Sequence, residues 1–155
     1  MPEDDRAVRE RVRRLIDETG RERTQLLEVL HKVQAEFSHV PRAAAEAIEQ
    51  EMNVPIADTY GVVTFYDLLS DKPVGRRVLR ICEDVTCSLH GAAELAARAE
   101  RAIGPEGEPS PDGAVSWTRC ACLGLCDKAP AALFAEEPLA PLSETAVAKV
   151  GEGHA

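Results

Sequence analysis

Between Thr24 and Phe37 the apolar residues Leu26, Leu30, Val33 and Phe37 recur at i, i+4, i+7 and i+11. That is the spacing of one face of a helix, and Thr24 is placed to cap it. A second helix is expected to open at Pro41, which suits a first helical turn. Ala45, Ile48 and Met52 form its inward stripe, and Asn53 with Pro55 ends it. A shorter helix is expected from Pro55 through Val63. Residues 3 to about 66 are thus helical in pattern.

The pattern changes at Asp71-Lys-Pro-Val-Gly75, where proline and glycine mark a linker. Arg76 to Cys82 alternates as a strand does, and Ala92, Ala96, Ala99 and Ile103 predict a helix over Ser88–Ile103 that Gly104 stops. Gly104 to Gly113 is a polar Gly/Pro loop, and Ala114 to Cys120 reads as a strand. A third strand is expected over Ala131–Ala135 and a fourth near Leu139–Leu142. A final helix runs from Ser143, its cap, to Val150. The order β-α-β-β-β-α is thioredoxin-like. The expected fold class is α+β: an N-terminal helical bundle in a region spanning residues 1–70, a thioredoxin-like domain over 74–150 and a loose tail over 151–155. No internal repeat is present.

Composition narrows the partners more than the fold. The 155 residues are 45% hydrophobic but only 4% aromatic, so the core must be aliphatic and alanine-rich. With 27 acidic against 18 basic residues the net charge is -9, and no basic cluster is dense enough to offset repulsion from a phosphate backbone. Nucleic acid is therefore not an expected partner. No apolar run approaches the roughly 20 residues that span a bilayer. The start, Met1-Pro-Glu-Asp-Asp-Arg6, lacks the basic and apolar stretches of a signal peptide, which places the chain in the cytoplasm without direct membrane insertion.

Four of the five cysteines form two close pairs, Cys82 with Cys87 as C-x4-C and Cys122 with Cys126 as C-x3-C. In a reducing compartment such spacing favours metal ligation over disulfides. Thiolates are soft ligands, and four of them are what a [2Fe-2S] rhomb needs, two for each iron. Cys82 is expected at a strand end and Cys87 just before a helix, so Glu83 to Thr86 form a loop able to wrap one iron. In the second pair Gly124 permits a tight turn whose amides point at sulfur.

Zinc remains a rival for the same donors, because structural zinc sites also use close cysteine pairs. The thioredoxin redox motif C-x-x-C is absent. Cys120 reads as a buried small hydrophobe beside the site rather than a ligand, since Cys122 and Cys126 flank the glycine turn. His90 follows Cys87 by three residues, but four thiolates complete a site without it; it is expected to face solvent in the first turn of the Ser88 helix. His31 and His39 receive no role. The apolar stretch from Tyr60 to Tyr66, with Leu68 and Leu69, is open between helical core and interface.

Beyond the cysteines, the chain carries Leu30-His-Lys-Val-Gln-Ala-Glu-Phe37, Val40-Pro41, Tyr60-Gly-Val-Val-Thr-Phe-Tyr66, Lys72-Pro-Val-Gly75 and Cys122-Leu-Gly-Leu-Cys-Asp-Lys-Ala-Pro130. In these segments, over about residues 24 to 150, it resembles the thioredoxin-like [2Fe-2S] ferredoxin family that includes the 24-kDa subunit of respiratory complex I. The resemblance implies that Cys82, Cys87, Cys122 and Cys126 hold a [2Fe-2S] cluster. It also implies partners: a flavoprotein of the 51-kDa type, which binds FMN and oxidises NADH, and other subunits of the peripheral arm of a membrane complex. Similar subunits occur in NAD-linked hydrogenases and formate dehydrogenases, but Asp84-Val-Thr-Cys-Ser-Leu-His-Gly91 and Asp127-Lys-Ala-Pro130 look more like complex I. The chain lacks a G-x-G-x-x-G fingerprint, so no NADH oxidation is expected from it alone. A zinc-stabilised interaction module and a free-standing ferredoxin or thiol redox protein are the competing functions.

Overall fold

The computed structural model describes residues 4–152, and the chain divides into two compact units, Met1–Pro73 and Val74–Ala155. The first unit is all helix. Asp4 accepts a hydrogen bond from the Arg6 N–H and so starts α1 (Asp5–Thr19), whose Val8, Val12, Leu15 and Ile16 are buried. α1 packs against α2 (Leu26–Phe37) and α3 (Arg42–Met52), and α4 (Ile56–Phe65) packs against α3. The core is aliphatic, with Val12, Val29, Leu30, Val33, Ala44, Ala47 and Ile48 fully buried. Residue 3, where the helical pattern began in the sequence, lies outside the described residues.

Two expectations in this unit shift. α2 starts at Leu26, and Thr24 lies in a 3-10 turn at Arg23–Gln25, with its hydroxyl turned to Glu22, so Thr24 is not the cap. Pro41 sits one position before α3 rather than in its first turn, and Asn53 closes α3 in the left-handed region at φ 53°. The chain after α4 is tied back by Gln34, whose side chain donates to the Ser38 carbonyl and accepts from the Ser70 N–H. The apolar stretch divides: Val63 and Leu69 are buried, whereas Phe65, Tyr66 and Leu68 are exposed.

The second unit is a four-stranded sheet in the order β2-β1-β3-β4. β1 (Arg77–Cys82) pairs in parallel with β2 (Val115–Cys120) and antiparallel with β3 (Ala132–Phe134), which pairs antiparallel with β4 (Glu137–Leu139). The crossover from β1 to β2 carries α5 (Val85–Leu89) and α6 (Ala92–Ile103), and α7 (Glu144–Gly151) packs on α6. Leu79, Ile81, Val115, Trp117, Ala132 and Phe134 form the core with Leu95, Ala96, Ala99, Ile103, Val147 and Val150. Ser143 caps α7, its hydroxyl accepting from the Ala146 N–H at 3.2 Å.

The β-α-β-β-β-α order is present, with three corrections. The helix expected over Ser88–Ile103 is two helices, because Gly91 takes φ 88° and α6 restarts at Ala92. Cys87 consequently lies inside α5 rather than before a helix, and His90, exposed, ends α5 instead of opening a helical turn. The fourth strand is Glu137–Leu139, not Leu139–Leu142: Ala135 and Glu136 make a two-residue turn that starts the return strand early. Pro138 fits there because β4 is an edge strand. α7 extends through Gly151, so the expected tail is shorter at its start, and residues 153–155 lie outside those described.

Candidate metal centre

Both cysteine pairs hang from the same ends of the two parallel strands. Cys82 and Cys120 are register partners at the last rung of β1 and β2, and the Glu83 N–H donates to the Cys120 carbonyl at 3.1 Å beyond it. Cys82 is held from its other side by its own N–H, which donates to the Ala131 carbonyl at 3.0 Å. The chain then turns into α5, which Asp84 starts by accepting from the Val85 N–H at 2.7 Å. The Ser88 hydroxyl donates to the Glu83 carbonyl at 2.6 Å, and His90 Nδ1 lies 2.8 Å from the Thr86 carbonyl, so the short helix is fastened at both ends. This presents Cys87 inward, 2% exposed, close to Cys82 at 1%.

The second loop leaves β2 after Cys120 and re-forms as a 3-10 turn at Cys126–Lys128. Gly124, at φ 75°, reverses it. As the glycine spacing suggested, the Gly124 N–H points at the Cys122 sulfur, 3.4 Å away. The Cys122 and Cys126 sulfurs are 3.6 Å apart. Two thiolates on one tetrahedral metal with bonds of about 2.3 Å would stand about 3.8 Å apart, so the pair is already close to a chelate. Cys122 and Cys126 are exposed, unlike Cys82 and Cys87.

The two pairs also meet each other. Burial pushes the Cys87 thiol up, and the nearby Cys82 and Cys126 thiols push it further, while the Ala131 N–H acts in the opposite sense. The Cys126 thiol is raised first by its hydrogen bond and charge interaction with Cys122, and also by Cys82; the Thr86 hydroxyl pulls it back. Cys87 and Cys126, one from each pair, thus lie near Cys82 and near each other, a costly arrangement for thiolates unless a cation neutralises them. Among the described residues no group of three His, Cys, Asp or Glu forms a ready-made site for a single metal ion. The donors stand as two pairs, which suits a binuclear centre with two thiolates per iron.

Cys120, at 6% exposure, belongs to the hydrophobic core beside the site. His31 and His39 lie in the other unit, and His39 Nδ1 bonds to the Phe37 carbonyl. Sequence reasoning missed Thr86 and Ala131, whose hydroxyl and amide hydrogen-bond the thiols of Cys126 and Cys87. Thr86 could have been suspected as the sole side-chain hydroxyl inside the C-x4-C loop; Ala131 offers only backbone and leaves no mark in the sequence.

Residues 12–153 match the model of the thioredoxin-like [2Fe-2S] ferredoxins. The chain belongs to that family, and the paired-thiol site fits the cluster the family is named for. It is 32% identical over 133 residues to an NADH-quinone oxidoreductase subunit of Pseudomonas aeruginosa, covering 85% of this chain and 80% of that one. With the same subunit of Escherichia coli K12 it shares 34% over 131 residues, 84% of this chain and 79% of the relative. The NADP-reducing hydrogenase subunit HndA of Solidesulfovibrio fructosivorans is 29% identical over 126 residues, 81% and 74% of the two chains. Among solved structures, an air-oxidised NAD+-reducing [NiFe]-hydrogenase superposes with a TM-score of 0.68 at 24% identity, over 83% of this chain and 22% of that one, a likeness of fold. Among the described residues no helix is long and apolar enough to cross a membrane.

Proposed function

We propose that this chain is the electron-transfer subunit of an NADH:quinone oxidoreductase, with Cys82, Cys87, Cys122 and Cys126 holding one [2Fe-2S] cluster beside an FMN-binding, NADH-oxidising flavoprotein. The observation that carries the proposal is the convergence of the two thiol pairs, Cys122 and Cys126 at 3.6 Å and Cys87 against both Cys82 and Cys126. The relatives from Pseudomonas aeruginosa and Escherichia coli support the parent complex. The hydrogenase relative HndA supports a second reading, the equivalent small subunit of an NAD(P)-linked hydrogenase. The work would be done in the cytoplasm, on the peripheral arm of the complex.

When bound, the cluster supplies one-electron transfer and no open position for a substrate. The chain's own part is to hold and tune it. Cys82 and Cys87 anchor it in the core, the exposed Cys122 and Cys126 bring it to the surface, and the donors of Gly124, Ala131 and Thr86 offset thiolate charge. Hydrogen bonds to sulfur favour the more negative, reduced state. Thr86→Val is therefore expected to make the midpoint potential more negative in an EPR-monitored redox titration, and an unchanged potential would show that the hydroxyl does not act on the site.

The relay reading is tested by mixing the cluster-loaded chain with NADH. Its visible bands are expected to persist until the FMN-loaded flavoprotein is added and then to bleach; bleaching by NADH alone would make the chain an enzyme in its own right.

We also propose a division of labour, with residues 74–150 carrying the cluster and the helical region 1–70 serving in docking. The ligand set lies after Pro73, and each unit has its own core, Leu79 to Val150 in one and Val8 to Leu69 in the other. A fragment of residues 74–155 is expected to take up iron and sulfide and give the parent spectrum. A fragment that stays colourless under conditions that reconstitute the full chain would show one cooperative unit.

A further inference from the structure

Glu83 is the residue at which β1 has ended and the first cysteine loop begins, and it is fastened at three points. Its N–H donates to the Cys120 carbonyl at 3.1 Å, its carbonyl accepts from the Ser88 hydroxyl at 2.6 Å, and its carboxylate stands 3.6 Å from Arg119 Nε. The first two ties use the main chain of residue 83 and would serve any side chain there. The third needs a carboxylate opposite a cation.

An exposed ion pair ordinarily contributes little, because two long side chains must be immobilised to make it. Arg119 is immobilised already. Its Nη1 donates to the Glu106 carboxylate, its main-chain N–H donates to Glu106 Oε1 at 2.8 Å, and its guanidinium lies over the Trp117 ring at 5.4 Å. Glu106 is in turn kept beside β2, since the next residue, Gly107, donates its N–H to the Trp117 carbonyl at 2.8 Å. One guanidinium fork thus meets carboxylates from two loops, Glu106 of the Gly/Pro loop and Glu83 of the cysteine loop. Arg119 itself stands on β2 one rung before the Cys82–Cys120 pair, and the second cysteine loop leaves that same strand.

We propose that Arg119 is a positioning residue of the metal centre: by holding the Glu83 carboxylate against β2, it fixes the start of the Cys82–Cys87 loop relative to the strand from which Cys122 and Cys126 depart. This rests on the electron-carrier reading above, in which both pairs hold one cluster. Thiolates from two loops grip a shared cluster only while the offset between the loops is kept. A loop released at Glu83 exchanges that offset for a spread of positions, and the grip weakens. Arg119 and Glu83 act through the cysteine loop and not as ligands.

The test uses the full chain loaded with iron and sulfide, as the parent, Glu83→Gln, Arg119→Gln and the double variant. Loss of the visible bands is timed in excess EDTA, and the rhombic EPR signal of each reduced chain is recorded. Each single variant is expected to lose its bands about two- to fivefold faster, the range of an exposed ion pair expressed as a rate ratio, and to give a broader EPR signal. The double variant should be no faster than Arg119→Gln, because both residues act through one contact. Arg119→Lys, a point charge without the fork, should fall between Arg119→Gln and the parent. Single effects that multiply in the double variant, or a Glu83→Gln chain that matches the parent in release and EPR, overturn the clasp and leave the electron-carrier reading standing. Faster release with an unchanged EPR signal also overturns it, since that is general loosening of the fold. Should Arg119→Gln fail to fold, Glu83→Gln leaves the Arg119–Glu106 pair in place and carries the test. A parent chain that takes up no cluster removes the electron-carrier reading and the clasp with it.

Discussion

Replacing Cys126 by alanine is expected to give a chain that purifies without the visible bands of a [2Fe-2S] centre and without a rhombic EPR signal after one-electron reduction. The Cys126 sulfur has Cys122 at 3.6 Å and interacts with Cys82 and Thr86, so removing it takes one of four donors from a shared space. An iron with one thiolate missing is left undercoordinated, with no obvious substitute except Cys120, the register partner of Cys82. The same loss is expected for Cys82→Ala, Cys87→Ala and Cys122→Ala. Cys120→Ser should be mild, because Cys120 is a buried core residue on the last rung of β2, ahead of the glycine turn that Cys122 and Cys126 flank. Iron analysis and EPR of the five variants decide the assignment; loss of iron in Cys120→Ser with a native spectrum in Cys122→Ser would reverse it.

The second large effect is on stability. Trp117 is the largest fully buried side chain, 1% exposed on β2 in register with Leu79. Its Nε1 donates to the Gly104 carbonyl at 2.7 Å, which pins the end of α6 and the start of the Gly/Pro loop to the sheet. Arg119 lies over the ring at 5.4 Å. Trp117→Ala is expected to lower unfolding free energy by about 3–5 kcal/mol, a large share of the roughly 5–15 kcal/mol that holds a typical domain together. Trp117→Phe keeps much of the volume but loses the indole donor, so its cost should be about 1–3 kcal/mol. Urea titration of the two variants separates cavity from hydrogen bond; equal midpoints for Trp117→Ala and the parent would mean the ring does not support this core.

The sequence was legible wherever one periodicity ran uninterrupted. Leu26, Leu30 and Val33, or Ala92, Ala96, Ala99 and Ile103, report a buried helix face because a 3.6-residue repeat needs nothing beyond the helix to explain it. It was less legible where a backbone turn overrode the pattern. The break at His90–Gly91 was hidden because the apolar stripe of α6 begins only after it, and the left-handed Ala135 carried no glycine to announce a hairpin. β1 looked like an alternating strand, yet Val78 through Cys82 are all buried, including Arg80, on a strand paired along both of its edges. At the metal centre the thiols were plain and their hydrogen-bond donors were not, since a main-chain N–H such as that of Ala131 has no residue type.

The pairing of Cys82 with Cys120 across the parallel strands gives the site a ruler. Thirty-four residues separate Cys87 from Cys122 in the chain, but the spatial offset between the two loops is set by the last rung of a ladder and not by that length. The Gly104–Gly113 stretch can therefore change length between its ties to β2, where the Gly107 and Ser110 N–H groups donate to the Trp117 and Val115 carbonyls, without the second loop losing its place. A single residue inserted inside β1 or β2 cannot be absorbed in the same way, because it would turn the strand's final side chains to the opposite face. Tolerance to length change should thus fall abruptly at Val115, where the loop ends and the ladder begins.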